Sequence, residues 1–302
     1  MPVGAVLLLL ASAGIHAAWN LLGKRQYPST AFMLVANTLG AMGLLPVLVL
    51  RADLVSSIPP AVWTLLFLTG LCQAVYYVAL AGAYRAGDLS ITYPLVRATP
   101  VLFIVAIGVL LGRGDEVSRQ ALAGMLLVVA GCLMLPLRRP GDVRRRHYWN
   151  LASGLALVAA LGTAGYSLLD DQALRLLRQG EGIDPSTVAV TLVYALLGGL
   201  SASLWLGLAV LGRQADRRLL LQMDRISLRR AATVGAGIFF GYSLVLLAFA
   251  LVKNVSYAIA FRQVSIVLGA VLGVLVLKEP RYPLKFAGVV LAFAGLVLVG
   301  TG

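Results

Sequence analysis

The sequence predicts an all-α integral membrane protein, with ten transmembrane helices arranged as two inverted five-helix repeats. Three observations carry that prediction. Of the 302 residues, 60% are hydrophobic and only 12% charged, with a mean hydropathy of +0.91, more apolar than soluble domains are. The apolar residues fall into ten runs long enough to span a bilayer, about 17 to 25 residues each. Landmarks in the first five runs recur in the last five.

In chain order the runs are Val3 to Leu22, Ala31 to Leu50, Ala61 to Ala83, Leu89 to Leu111, Ala121 to Leu137, Leu151 to Leu169, Val188 to Leu211, Ala231 to Val252, Val255 to Leu277 and Leu284 to Gly300. The connections are short and leave no room for a soluble domain. The longest, Gly212 to Arg230, interleaves Leu219, Leu220, Leu221, Met223 and Ile226 with Arg217, Arg218, Arg225 and Arg229. It reads either as an interfacial helix on anionic headgroups or as a basic cytoplasmic loop. Ala11-Ser12-Ala13 resembles a signal cleavage site, but no cation precedes the apolar run, so the first run is expected to be a retained helix.

The first span ends in HAAWNLLGKR, which puts His16, Trp19 and Asn20 on one helical face. The sixth span repeats the pattern as TAGYSLLDDQ, with Tyr166 and Ser167 standing 147 residues after Trp19 and Asn20. Further on, Arg262 follows Arg97 by 165 residues, and Gly288 and Gly295 follow Gly124 and Gly131 by 164. Glu279 follows Asp115 by the same 164. These echoes divide the chain into residues 1–140 and 141–302, one five-helix unit each. An odd number of spans per unit inverts the second copy relative to the first, as in many secondary transporters.

The net charge of +13 and the pI near 10.3 do not point to nucleic acid, because the basic residues sit in short loops between spans. The loops after the odd-numbered spans hold 17 cations and the opposite side six. The positive-inside rule then places both termini outside. Cys72 and Cys132 lie in apolar runs, so neither a disulfide framework nor a metal cluster is expected.

Two charges break the apolar pattern. Arg97 lies inside the fourth span and Arg262 at nearly the same depth in the ninth. An arginine at the centre of a spanning helix costs roughly 2.5 to 3.5 kcal/mol on translocon-type scales, so each implies a cavity, a partner or an anion. Tyr93 precedes Arg97 by one helical turn, with Ser90 on the same face, and Gln263 and Ser265 follow Arg262. Pro94 and Pro100 free the carbonyls of Ser90 and Val96, which suits either a broken helix at a transport site or a simple kink. The ninth span has no proline, so a broken helix is expected only in the first copy. Gln73, Tyr76 and Tyr77 in the third span and Tyr242 and Ser243 in the eighth either line a central cavity or bond helix to helix. His16 titrates in a range that suits proton coupling, although a packing role is the commoner one. All twelve carboxylates lie in loops or at span ends, so no acid is expected at mid-membrane.

These features resemble the drug/metabolite transporter superfamily and, within it, the EamA-domain family of ten-span proteins. The residues that carry the resemblance are AAWNLLGK at Ala17 to Lys24 with its echo AGYSLLDD, the proline-bearing fourth span after a short turn, LKEP at Leu277 to Pro280, and the paired glycines. HAAWN also resembles a branch associated with phosphonate utilisation. The chain departs from the family where GRGDE replaces a glutamate that often follows the fourth span. The family implies cytoplasmic termini, against the charge count. It also implies a non-enzymatic secondary transporter in the cytoplasmic membrane, without a cofactor, whose partners are a small-molecule substrate and the lipid bilayer. The two arginines with no deep acid make an organic anion (a phosphonate, phosphate ester or carboxylate) the expected substrate. An exporter of neutral metabolites and a non-transporting membrane subunit are the alternatives.

Overall fold

The computed structural model describes residues 1–23, 29–86, 89–135, 137, 150–179, 188–268 and 282–302, with side chains described except at 17–23, 89–91 and 93. The LKEP motif with Glu279, the arginines at 138–146 and the end of the ninth predicted span lie outside them.

Among the described residues every regular element is helical, as apolar segments in lipid must be if their backbone groups are to be satisfied within the segment. The helices are α1 (Val3–Gly23), α2 (Thr30–Met42), α3 (Leu45–Leu50), α4 (Asp53–Ser56), α5 (Pro60–Ala86), α6 (Leu89–Leu110) and α7 (Arg119–Met134) in the first half. The second half holds α8 (Leu151–Gln179), α9 (Val188–Leu211), α10 (Gln214–Leu221), α11 (Arg225–Phe249), α12 (Val255–Phe261) and α13 (Pro283–Thr301). Six segments are long and apolar enough to cross a membrane: α2 with α3, α5, α8, α9, α11 and α13. Shorter apolar helices cover Val3–His16, Pro94–Leu110, Arg119–Met134 and Val255–Leu268. Large apolar side chains such as Leu7, Phe67, Phe240, Phe286 and Phe293 stand exposed on the outside of the bundle, which suits lipid and not water.

Polar side chains set the helix starts. Ser29, Ser118, Asp224 and Asn254 each accept a hydrogen bond from a backbone N–H in the first turn of α2, α7, α11 and α12. The end of α6 is set by Gly112, whose φ of 75° lets its own N–H reach Val109 and that of Arg113 reach back to Gly108. That turn aims Arg113 across the end of the bundle.

Three readings of the sequence are decided here. Of the two open for Pro94 and Pro100, the broken helix fails, since α6 runs unbroken from Leu89 to Leu110. The break falls instead in the proline-free ninth span, where α12 stops at Phe261, residues 262–263 form a turn and helix resumes over 264–268. At that turn the Gln263 N–H bonds to Ala260, one residue nearer than in an α-helix, and the Gln263 side-chain amide donates to the Ile259 carbonyl instead. Ser265 donates through both N–H and hydroxyl to the Arg262 carbonyl. Side chains thus satisfy the backbone that the turn opens. Third, α8 continues ten residues beyond the predicted span end at Leu169, so that Asp170 and Asp171 lie inside a helix and are buried.

The packing has an exchange pattern. α7 lies on α13 and α2 on α9; α5 meets α8 as α11 meets α1; α2 meets α11 as α9 meets α5. At the α7–α13 crossing the paired glycines face one another. A Cβ on Gly124 would stand 2.7 Å from the Gly295 carbonyl oxygen, and one on Gly131 would stand 2.6 Å from that of Gly288. Only glycine allows backbones that close, and van der Waals packing is what holds spanning helices together.

Candidate functional site

A central cavity lies between the two halves of the chain, lined from six helices and the turn that ends α12. α1 gives Ser12 and His16, α2 Met33 and Asn37, α5 Gln73, Tyr76, Tyr77 and Leu80, and α6 Arg97. α8 gives Tyr166, α11 Ile238, Phe239, Gly241 and Tyr242, and Arg262 comes from the turn that ends α12.

The two guanidinium groups therefore share one cavity. Arg97 donates from Nη2 to the Ser265 hydroxyl at 3.1 Å, a contact from the first half of the chain to the second, while its Nε is buried without a hydrogen-bond partner among the described residues. Arg262 lies close enough to Tyr166 and to Arg97 for its charge to interact with both. The His16 ring feels both. No Asp or Glu is among the lining residues, and no ion pair to Arg97 or Arg262 is found among the described residues.

Beside Arg262 stands an aromatic wall. Tyr76 and Tyr77 have ring centroids 4.9 Å apart, Tyr76 meets Tyr166 edge-on at 6.1 Å, and Tyr166 meets Tyr242 edge-on at 6.3 Å. Gln73 donates to the Tyr242 hydroxyl at 3.1 Å.

Of the residues expected at the site, Arg97, Arg262, His16, Gln73, Tyr77, Tyr166 and Tyr242 come together here. Ser167 and Gln263 do not line the cavity: Ser167 is wholly buried, and Gln263 supports the turn under Arg262. The side chains of Trp19, Asn20 and Tyr93 lie outside the described residues. Sequence reasoning missed Ser12, Met33 and Asn37. Asn37 donates to the Gly199 carbonyl at 2.8 Å and to the Ser203 hydroxyl at 2.9 Å, tying α2 to α9 beside the cavity. A buried asparagine within an apolar run was the available signal.

The expectation of no deep acid is also overturned. Asp170, one turn along α8 from Tyr166, is wholly buried. Thr69 and Tyr194 donate to its Oδ1 at 3.1 and 2.8 Å, and Tyr242 donates to Oδ2. Those donors come from three other helices, so nothing local to Asp170 announced its burial.

Beyond Asp170 the bundle is tied shut by a second charge cluster. Arg113 grips Glu116 with two bonds of 2.9 and 3.0 Å and lies 3.5 Å from Asp171, which Arg175 also holds at 2.9 Å. Arg175 donates to the Lys253 carbonyl, and Asn254 donates to Glu116 at 2.8 Å. The Arg113 guanidinium beside Glu116 holds its carboxyl below the usual carboxylate range, with the Asn254 bond adding to the effect. This latch joins the end of α6 to α8 and to the start of α12.

Comparison with known proteins bears on the fold and the family. The family model described as "EamA-like transporter family" matches residues 3–137. A solved structure, titled only "Crystal structure of protein", is similar along 98% of this chain and 97% of its own, with a TM-score of 0.67 and 15% identity. At that identity the likeness shows a shared fold. No curated protein matches the chain.

Proposed function

We propose that this membrane protein, whose residues 3–137 match the EamA-like transporter family, moves a small organic anion across the cytoplasmic membrane by alternating access between two inverted five-helix halves. The observation that carries the reading is the pair of arginines in one cavity that no carboxylate lines among the described residues. Two guanidinium groups so placed repel unless a negative charge lies between them. A phosphonate, phosphate ester or carboxylate supplies that charge, and its oxygens accept from both forks, including the buried Arg97 Nε that has no partner of its own among the described residues. The tyrosine wall takes the organic part of such a solute.

The exchange pattern of helix contacts supports a two-fold relation between residues 1–140 and 141–302, with the cavity on its axis. A family match ending at residue 137 agrees with a first unit of that length. The ten apolar segments among the described residues support ten spans.

The test is uptake into proteoliposomes of a panel: methylphosphonate, glycerol phosphate, lactate and leucine. We expect one or more of the three anions to enter at least tenfold faster than leucine. Leucine alone entering would replace the anion reading with that of a neutral-metabolite carrier.

A further inference from the structure

Asp170 is a buried carboxylate that the anion reading does not use, and its surroundings give it a task. It does not line the cavity, yet its Oδ2 is bonded to Tyr242, which does. On the far side, Asp171 belongs to the latch. Asp170 therefore sits between the cavity and the closed end of the bundle, about 6 Å along α8 from Tyr166.

The charges around it are few. On its own helix, Asp171 is neutralised by Arg113 and Arg175, and Arg178 donates to the Leu246 carbonyl. α5 brings Cys72 with Thr69, α9 brings Tyr194 and α11 brings Tyr242. The guanidinium groups of Arg97 on α6 and Arg262 at the end of α12 lie in the cavity beyond the tyrosines. Among the described residues no cation is paired with Asp170; its three partners are neutral hydroxyls.

A carboxylate held that way can take up a proton without leaving a buried ion behind. The ionised form accepts from all three hydroxyls. If Oδ2 gains a proton, its O–H must donate, and the nearest acceptor is the Tyr242 oxygen. That oxygen, which has one good acceptor site, receives it as the Gln73 amide gives up its bond there, and the Tyr242 O–H then turns from Asp170 toward the cavity. One bound proton thus removes a negative charge beside the cavity and adds a donor to its wall. Both changes favour an anion, and by linkage the anion favours the proton.

We propose that Asp170 is a proton-binding site that couples transport to protons through Tyr242, so that proton and anion are carried together. The direction of coupling rests on the anion reading; the proton site does not.

Two measurements separate them. The first is an infrared pH titration of the purified, ligand-free protein. We expect a protonated-carboxyl stretch that grows as pH falls, is missing in D170N and persists in Y242F. An unchanged band in D170N, or none in the parent, overturns the proton site. The second is methylphosphonate uptake in proteoliposomes at zero membrane potential. An inward proton gradient should stimulate the parent about tenfold. D170N and Y242F should lose that stimulation, and D170N should retain counterflow exchange within a fewfold. Y242F leaves Asp170 with its Thr69 and Tyr194 donors, so it decides the matter if D170N does not fold. Undiminished stimulation in both variants overturns the coupling. If the parent moves no methylphosphonate under any condition, the anion reading fails for that solute and the infrared titration still decides the proton site.

Discussion

Four arginines sit at two levels of this bundle, and their surroundings differ in one respect. At the end beyond α6, Arg113 and Arg175 are matched by Glu116 and Asp171 at 2.9 to 3.5 Å. In the central cavity, Arg97 and Arg262 meet a hydroxyl and a phenol and no carboxylate. The chain has acids close at hand, since Asp170 and Asp171 lie on the helix that also carries Tyr166. They are turned to the latch and to the hydroxyl cluster, away from the arginine pair. At the end of the bundle the charges are paired, and in the cavity no carboxylate pairs them among the described residues.

The largest effect expected from breaking this contrast is at the cavity. Arg97→Gln or Arg262→Gln should each cut anion uptake by at least about a hundredfold, because each removes one of the two charged forks that the anion needs. Arg97→Lys should cost about tenfold, since an ammonium keeps the charge but loses the fork. Size-exclusion profiles in mild detergent check that the fold survives. Loss of folding in the conservative Lys variant would mean that Arg97 serves packing alone.

An intermediate effect is expected at the latch. Asp171→Asn leaves Arg113 to Glu116 and Arg175 to the Lys253 carbonyl, and cuts the tie between α8 and the end of α6. A cysteine at Ser167, between cavity and latch, should then react several-fold faster with an aqueous thiol reagent, in a background without Cys72 and Cys132. An unchanged rate would show that helix packing, not the latch, seals that end.

The smallest effect belongs to Glu116, which is more exposed than Asp171. Its carboxyl titrates below the usual value because Arg113, and then Asn254, bond the charged form. Its contribution is therefore fully present above the ordinary glutamate value of about 4.3 and is lost as pH falls through the lower folded value. Glu116→Gln should lower the thermal midpoint at neutral pH by no more than about 2 °C, and parent and variant should converge in acid. A gap that widens in acid would contradict the pairing.

How far the sequence reaches follows from the same residues. Arg97 and Arg262 stand out in apolar runs at a repeat distance, which is a local signal, and they do share a cavity. The glycines of α7 and α13 were legible for the same reason, because their spacing recurs and close backbone approach needs them. Asp170 was misplaced at a span end because a DD pair after an apolar run looks like the water boundary. Its burial is supplied by Thr69, Tyr194 and Tyr242 from other helices, which only the tertiary fold brings together. The turn at Arg262 was hidden likewise. With no proline to mark it, the break is made by Gln263 and Ser265 taking over backbone hydrogen bonds, and a glutamine beside an arginine read more readily as a ligand contact.

The arginine pair is tested most directly by equilibrium binding of radiolabelled methylphosphonate to the purified parent and to the double variant Arg97→Gln with Arg262→Gln, both checked for monodisperse elution. Saturable binding to the parent, about one site per chain, with none detectable in the double variant at the same concentrations, is the expected result. Binding to the double variant as tight as to the parent would contradict it and leave both arginines as structural groups.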